Sequence, residues 1–136
     1  MLSHSCLSTG VIKRDVTSTL AHIEIVNLSP RPVTVCVFGF DWDTNPPVAI
    51  PVTPGSPIVI PANSNRAFDV SLASVSDHYE IRIALPGCQD IIANVFALTA
   101  GGNVVAGNTV LFKELVSVSN CLCKCCTRRT FEEDPE

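Results

Sequence analysis

The segment "HYEIRIAL" (78–85) alternates between apolar and polar residues with a period of two. Successive side chains of an extended strand point to opposite faces, so this pattern predicts a strand with one buried face and one polar face. The segments "AHIEIVNL" (21–28) and "RAFDVSL" (66–72) alternate in the same way. Apolar residues nowhere recur at helical spacing over three turns, so we expect almost no helix.

Three further patterns extend this prediction. "PVTVCVFGFDW" (32–42) is apolar on both faces, as a central strand would be. "VAIPV" and "PIVIP" are short and flanked by prolines, which confine strands to edges or ends. "DIIANVFAL" (90–98) and "NVVAGNTVLFKEL" (103–115) meet across 99–102, where two glycines supply the positive φ that a tight hairpin turn requires.

Seven or eight short strands at a spacing of about ten residues predict an all-β chain. We expect a single antiparallel β-sandwich, jelly-roll or immunoglobulin-like, because a sheet with one apolar face must cover it with another. A small closed barrel is the alternative. The expected organisation is a flexible N-terminal arm (1–16), the sandwich (17–118) and a tail (119–136) that is rich in cysteine and then charged.

Composition excludes several classes of protein. The chain of 136 residues is 46% hydrophobic and 16% charged, which indicates a folded domain rather than a disordered one. A net charge of −4 and scattered basic residues predict no nucleic-acid partner. The sequence lacks an apolar stretch of about eighteen residues, so we expect no membrane partner. It also starts without the pattern of a secretory signal.

Motifs of known catalytic or phosphate-binding sites are not found in the sequence, so we expect no enzyme and no cofactor. A weak ligand-site candidate is "FDWDTNPP", in which Asp41 and Asp43 flank Trp42. Two carboxylates at this spacing could hold a cation, and the indole could stack on a sugar ring. The simpler interpretation is that both aspartates end a strand and start a turn.

The seven cysteines differ in their surroundings. Cys36 lies in the most apolar strand, where a free thiol would act as a small core side chain. Cys88 lies in the turn "LPGCQD". Core packing does not explain the remaining five, which are Cys6 in the predicted arm and Cys121, Cys123, Cys125 and Cys126 in the tail segment "CLCKCC".

Two explanations of the tail cysteines remain open. Cys123 and Cys126 have the Cys-x2-Cys spacing of zinc ligands, and all four tail thiolates could hold a metal. Six consecutive residues, however, do not readily wrap one ion. The same crowding limits disulfides within the tail, because bonded Cα atoms must lie about 4.4–6.8 Å apart. Flexible termini and an odd number of cysteines therefore favour disulfides to neighbouring chains.

The runs "TSTLAHIEIVNLSPRPVTVCVFGFDWDTNPP", "IPANSNRAF", "DHYEIRIALPGC" and "NVFALTAGGNVVAGNTVL" resemble small exosporium proteins of spore-forming Bacillus, those called exosporium protein C. A looser similarity links the chain to endospore appendage subunits, whose cysteine-bearing terminal segments cross-link stacked sandwich domains. The resemblance covers 18–115. The chain differs from the appendage subunits in carrying its densest cysteine cluster at the C-terminus.

The resemblance implies a structural protein of the spore surface, made in the mother cell and deposited without a signal peptide. It implies self-assembly into a homo-oligomer or polymer alongside other spore-surface proteins. Intermolecular disulfides would lock the assembly, with the four tail cysteines and Cys6 as the expected cross-linking residues and Cys88 as a further candidate. A thiolate metal protein and a carbohydrate-binding module are the alternatives.

Overall fold

The computed structural model describes residues 4–86 and 90–119, whose backbone forms two antiparallel sheets packed face to face. The predicted all-β sandwich is confirmed. Within the described residues no helix is long and apolar enough to cross a membrane. The strands are β1 (His4–Ser8), β2 (Ile12–Lys13), β3 (Ser18–Asn27), β4 (Val33–Asp41), β5 (Val48–Ile50), β6 (Val52–Thr53), β7 (Ile58–Ile60), β8 (Ser64–Ser71), β9 (His78–Pro86), β10 (Ile91–Thr99), β11 (Val104–Val110) and β12 (Val116–Val118), with a 3₁₀ helix at Phe112–Glu114.

The first sheet has the strand order β12-β1-β9-β4-β5, and β2 and β7 pair with β9 and β4 outside this path. The second sheet has the order β11-β10-β3-β8-β6. The proline-flanked strands β5 and β6 lie at sheet edges, as predicted. Strands β5 and β7 pair with different parts of β4. Between those parts, the Val37 amide of β4 donates to the Ser56 hydroxyl at 2.7 Å, so a side chain takes the place of a neighbouring strand's backbone.

The hydrophobic core lies between the sheets and is built from one face of each long strand. In β9 the odd-numbered residues from Tyr79 to Leu85 belong to this core, as the alternation predicts. Each fully buried aliphatic side chain contributes roughly 1.5–3 kcal/mol of transfer free energy. The largest fully buried side chains are Tyr79, Phe68, Ile23, Ile25, Ile60, Leu72, Ile81, Ile83, Val35, Val37, Val70 and Val75.

The predicted hairpin between β10 and β11 is confirmed. Val95 pairs with Val110 and Leu98 with Val104 across the two strands. In the turn, the Gly102 amide donates to the Thr99 carbonyl at 2.9 Å, and Gly102 has a φ of 84°. Glycine adopts this left-handed conformation without the steric cost that a Cβ would add.

The prediction of a flexible arm over 1–16 is wrong for the part of it that the structure describes. Strand β1 pairs with both β9 and β12, which makes it an interior strand of the first sheet. Strand β2 pairs with β9 through Ile12 and Tyr79. The arm was predicted because residues 1–16 have a low apolar content. Strand β1 is nevertheless held by backbone hydrogen bonds on both sides, which do not depend on side-chain polarity.

Candidate functional site

The even-numbered residues of β9 point away from the second sheet, and we call the surface they share with β1 and β4 the outer face of the first sheet. Glu80 lies at its centre and is 5% exposed. Its neighbours come from three strands: Phe40 is directly opposite on β4, Arg82 is the next outward residue of β9, and Ser8 is opposite Arg82 on β1. The outer face therefore contains a buried carboxylate that the alternating pattern predicts to be exposed.

Four hydrogen bonds fill both oxygens of Glu80. Oε2 accepts from the Ser8 hydroxyl and from Arg82 Nε at 2.9 Å. Oε1 accepts from Trp42 Nε1 at 2.8 Å and from Arg82 Nη2 at 3.1 Å. The Arg82 guanidinium also lies 4.4 Å from the centre of the Phe40 ring, in a cation–π contact. We call these five side chains the Glu80 cluster.

The Glu80 cluster holds its carboxylate in the ionised form. Burial by itself disfavours the charge, but the hydrogen bonds from Arg82, Ser8 and Trp42 outweigh it and hold the pKa of Glu80 below its ordinary value. A general base needs a free oxygen within reach of a substrate proton. Both oxygens of Glu80 are already engaged, so the cluster ties β1, β4 and β9 together and is poorly arranged for acid–base chemistry.

The structure brings the predicted ligand residues Asp41, Trp42 and Asp43 to the end of β4, but their polar groups bind within the chain. Asp41 Oδ1 accepts from the Asp43 amide at 2.8 Å, which closes an Asx turn. The Asp43 carboxylate accepts three backbone N–H groups, from Ser76 at 2.6 Å and from Asp77 and His78 at 2.9 Å each. These bonds lower the pKa of Asp43 and join the turn after β4 to the start of β9.

Asp43, Asp77 and His78 also form a group whose ligand atoms lie within 4.8 Å of one another. All three residues are exposed. The Asp43 oxygens already accept three amides, and Asp77 Oδ1 accepts from Lys13 Nζ at 3.0 Å. A cation would have to compete with these contacts, so the arrangement indicates a loop junction.

A third polar group lies on the outer face of the second sheet. His22 Nδ1 is 2.7 Å from Asp69 Oδ1, and its Nε2 is 2.6 Å from Glu24 Oε2. Partial burial alone would lower the pKa of His22, but the bonds to Asp69 and Glu24 outweigh it and raise that pKa. Both ring nitrogens can donate only in the protonated imidazolium, so this geometry favours the charged form.

Cys6 and Cys36 lie on the outer face of the first sheet, and both are disulfide-bonded. The prediction of a free thiol at Cys36 is therefore wrong. An apolar strand favours a buried cysteine whether reduced or oxidised, because the pattern carries no information about the redox state. Cys6 is 8% exposed and belongs to β1, so it is part of the sandwich. Cys88 and the tail residues Cys121, Cys123, Cys125 and Cys126 lie outside the described residues.

An open, largely apolar pocket of about 210 Å³ lies beside β4, lined in part by Val37, Phe40 and Ile50. Sites for small organic ligands usually have volumes of about 300–1,000 Å³, so this pocket is smaller than a usual ligand site.

Comparison of the chain with protein-family models, with curated proteins and with solved structures gave no match.

Sequence reasoning missed the Glu80 cluster and the disulfide bond of Cys36. The "EIR" triplet in β9 was the available signal for the cluster. A glutamate and an arginine two residues apart on one face of a strand are placed to form an ion pair. The Ser8 hydroxyl of β1, which also donates to Glu80, comes from a position 72 residues away along the chain.

Proposed function

We propose that this chain is a structural subunit of a bacterial spore surface, either an outer layer such as the exosporium or an appendage. Sandwich domains would associate with one another, and intermolecular disulfides would lock the assembly. The proposal draws on the resemblance of 18–115 to small exosporium proteins and on the distribution of the cysteines. The polar groups of the Glu80 cluster and of Asp43, which bind within the chain, also favour a structural role over a catalytic one.

The observation that carries the proposal is the number of cysteines. The chain has seven, and pairing within one chain uses them two at a time, so at least one thiol per molecule has no partner in its own chain. Two of the seven, Cys6 and Cys36, are already disulfide-bonded. The thiol that is left over belongs to Cys88 or to the tail cluster. An oxidising surface would convert it into a cross-link.

Disulfides preserve an assembly but do not give it a defined geometry, so specific non-covalent contacts are also needed. Among the described strands, β11 is the outer one of the second sheet; it pairs with β10 and exposes Val104. Of the described part of the first sheet, β12 is an outer strand and exposes Val116. Edge strands present backbone donors and acceptors that a second copy can pair with. We therefore expect copies to meet through these edges.

Gel electrophoresis of the protein from its natural source, with and without reductant, tests this function. We expect species above the monomer mass without reductant, and monomer alone with reductant. Full-length protein that runs as monomer without reductant and carries alkylatable tail thiols would overturn the proposal.

Two measurements separate the alternatives. Stoichiometric zinc or copper in protein purified under reducing conditions would favour the thiolate metal site. Glycan binding that is lost in Trp42→Ala would favour the carbohydrate-binding module.

A further inference from the structure

The outer face of the second sheet carries an apolar surface along strand β10. The odd-numbered residues of β10 from Ile91 to Ala97 are buried in the core, so the even-numbered residues point outward. These are apolar except for Asn94, and their neighbours on β3 and β11 extend the apolar surface. We call this surface the β10 face; its apolar members are Leu20, Val26, Ile92, Phe96, Leu98 and Val104.

The β10 face is accessible to solvent. Ile92 is 40% exposed and Val104 is 58% exposed, whereas Cys36 and Ala84 on the outer face of the first sheet are each 1% exposed. The solvated face of an antiparallel sheet normally carries polar residues, and a strand that is apolar on both faces is typical of burial on both faces. The β10 face therefore has the composition of an interior surface, although it lies on the outside of the sandwich.

The polar side chains beside the apolar residues bind one another. His22 lies 2.7 Å from Asp69 Oδ1 and 2.6 Å from Glu24 Oε2, and Asn65 Nδ2 donates to Glu24 Oε1 at 3.1 Å. An imidazolium between two carboxylates leaves this group nearly neutral. Polar groups that are already hydrogen-bonded cost much less to bury than isolated ones. A partner can therefore cover the β10 face without leaving an isolated charge under it.

We propose that the β10 face binds the same face of a second copy of this chain, so that two sandwiches stack. Sheets that pack face to face lie about 10 Å apart, with strand directions within about 30° of each other. A contact of one face with itself is two-fold symmetric and closes after two copies. Such a contact brings each charge close to its own copy, which is tolerated where the charges are already paired.

The size of the face sets the strength of the contact. Residues 20 to 26 of β3 span roughly 20 Å, and the five strands of the sheet span roughly 24 Å, so the face covers about 500 Å² in projection. Specific interfaces bury at least about 600 Å² of accessible surface on each partner. The stacked pair lies near this lower limit, so we expect weak and reversible association.

This contact goes beyond the proposed function, which concerns disulfides and the sheet edges β11 and β12. Stacking through the β10 face needs neither of them. A weak contact of this kind would orient two copies before a disulfide locks them together. The stacking can nevertheless be measured in protein that forms no covalent cross-links.

Sedimentation velocity of thiol-blocked protein tests the stacking. Iodoacetamide without reductant blocks free thiols and prevents new cross-links, while the disulfides of Cys6 and Cys36 stay intact. We expect the sedimentation coefficient to rise with concentration from monomer towards dimer. A protein that remains monomeric up to about 1 mM would overturn the inference. The gel test of covalent assembly is a separate measurement, so the two proposals fail separately.

The double variant Ile92→Glu, Val104→Glu locates the contact. Both positions are exposed in the monomer, and the added carboxylates would meet like charges across the stacked faces, so we expect the association constant to fall about tenfold or more. The matched control is Val16→Glu, Val59→Glu, which makes the same chemical change at exposed positions outside the β10 face. Far-UV circular dichroism checks that both variants are folded. Equal loss of association in both, or loss in neither, would contradict the inference.

NMR spectra of the ¹⁵N-labelled, thiol-blocked protein at increasing concentration identify the surface directly. We expect the largest amide shift changes on β3 and β10, at residues 20–26 and 92–98. Changes confined to β11 and β12 would show that copies meet through sheet edges. That result would overturn the stacking while supporting the edge contacts of the proposed assembly.

Discussion

The indole N–H of Trp42 donates to Glu80 Oε1 at 2.8 Å, and this bond joins the end of β4 to the middle of β9. The carboxylate also binds Arg82 and Ser8, so one buried charge connects three strands of the first sheet. A buried donor that loses its acceptor costs about 1–3 kcal/mol. We therefore expect the sandwich to be sensitive to substitution of Glu80.

We expect Glu80→Ala to lower the free energy of unfolding by about 1–3 kcal/mol, because the Ser8 hydroxyl and the Trp42 indole N–H lose their acceptor. Urea denaturation at neutral pH measures the loss, and Asp90→Ala on an exposed position is the matched control. The pKa of Glu80 is lowered, so its contribution is complete above the ordinary carboxyl pKa and is lost as the pH falls through the lowered pKa. A loss no larger than that of Asp90→Ala would contradict this role.

We expect Asp43→Ala to destabilise the protein more than Asp77→Ala does. The first change leaves the amides of Ser76, Asp77 and His78 without their acceptor, whereas the second removes one exposed ion pair with Lys13. Thermal unfolding of the two variants at the same pH provides the comparison. Equal melting temperatures would show that the loop junction does not depend on Asp43.

We expect Tyr79→Phe to raise the free energy of unfolding by about 1 kcal/mol. The Tyr79 hydroxyl is buried and has no hydrogen-bond partner among the described residues, and desolvation raises its pKa to about 12. Burying such a hydroxyl costs free energy that phenylalanine avoids. Tyr79→Ala removes the ring as well and should cost about 3–5 kcal/mol. Destabilisation by Tyr79→Phe would show that the hydroxyl has a bound partner.

We expect Gly39→Ala to cost about 1–3 kcal/mol. A Cβ at Gly39 would lie 2.7 Å from Val70 Cγ1, where β4 of one sheet approaches β8 of the other. Gly55→Ala is the matched control, because a Cβ there has no heavy atom within 4 Å. If the Val70 methyl causes the clash, Gly39→Ala should cost less in a Val70→Ala background. Chemical denaturation of the four variants measures this coupling.

We expect the stabilisation from His22 to decrease as the pH rises. Its pKa is raised in the folded protein, so the contribution is fully present below the ordinary histidine value of 6.5 and is lost as the pH passes through the raised pKa. A partly exposed ion-pair network of this kind contributes about 0.5–1 kcal/mol. The stability difference between the protein and His22→Gln, measured by urea denaturation from pH 5 to 9, tests this. A difference that grows with pH would contradict it, and Asp69→Asn should shift the NMR titration of His22 to lower pH.

Local patterns were sufficient to predict most strands, because they reflect interactions within a few residues. The alternation over 78–85 corresponds to β9, and the glycine turn between 99 and 102 corresponds to the hairpin of β10 and β11. The weak apolar pattern of β1 was not sufficient. Its place between β9 and β12 depends on partners roughly 75 and 110 residues away, and a local periodicity contains no information about such pairings.

The same distinction applies to the candidate sites. The sequence by itself determined that apolar strands must pair into a sandwich and that seven cysteines cannot all pair within one chain. Only the tertiary structure decided that Asp43 binds three amides of a distant loop, and that Glu80 is buried. It also placed the oxidised Cys6 and Cys36 on either side of Ala84. The physical reason is that strand register between distant segments sets which polar and sulfur atoms come within bonding distance, whereas the composition sets only how many such atoms exist.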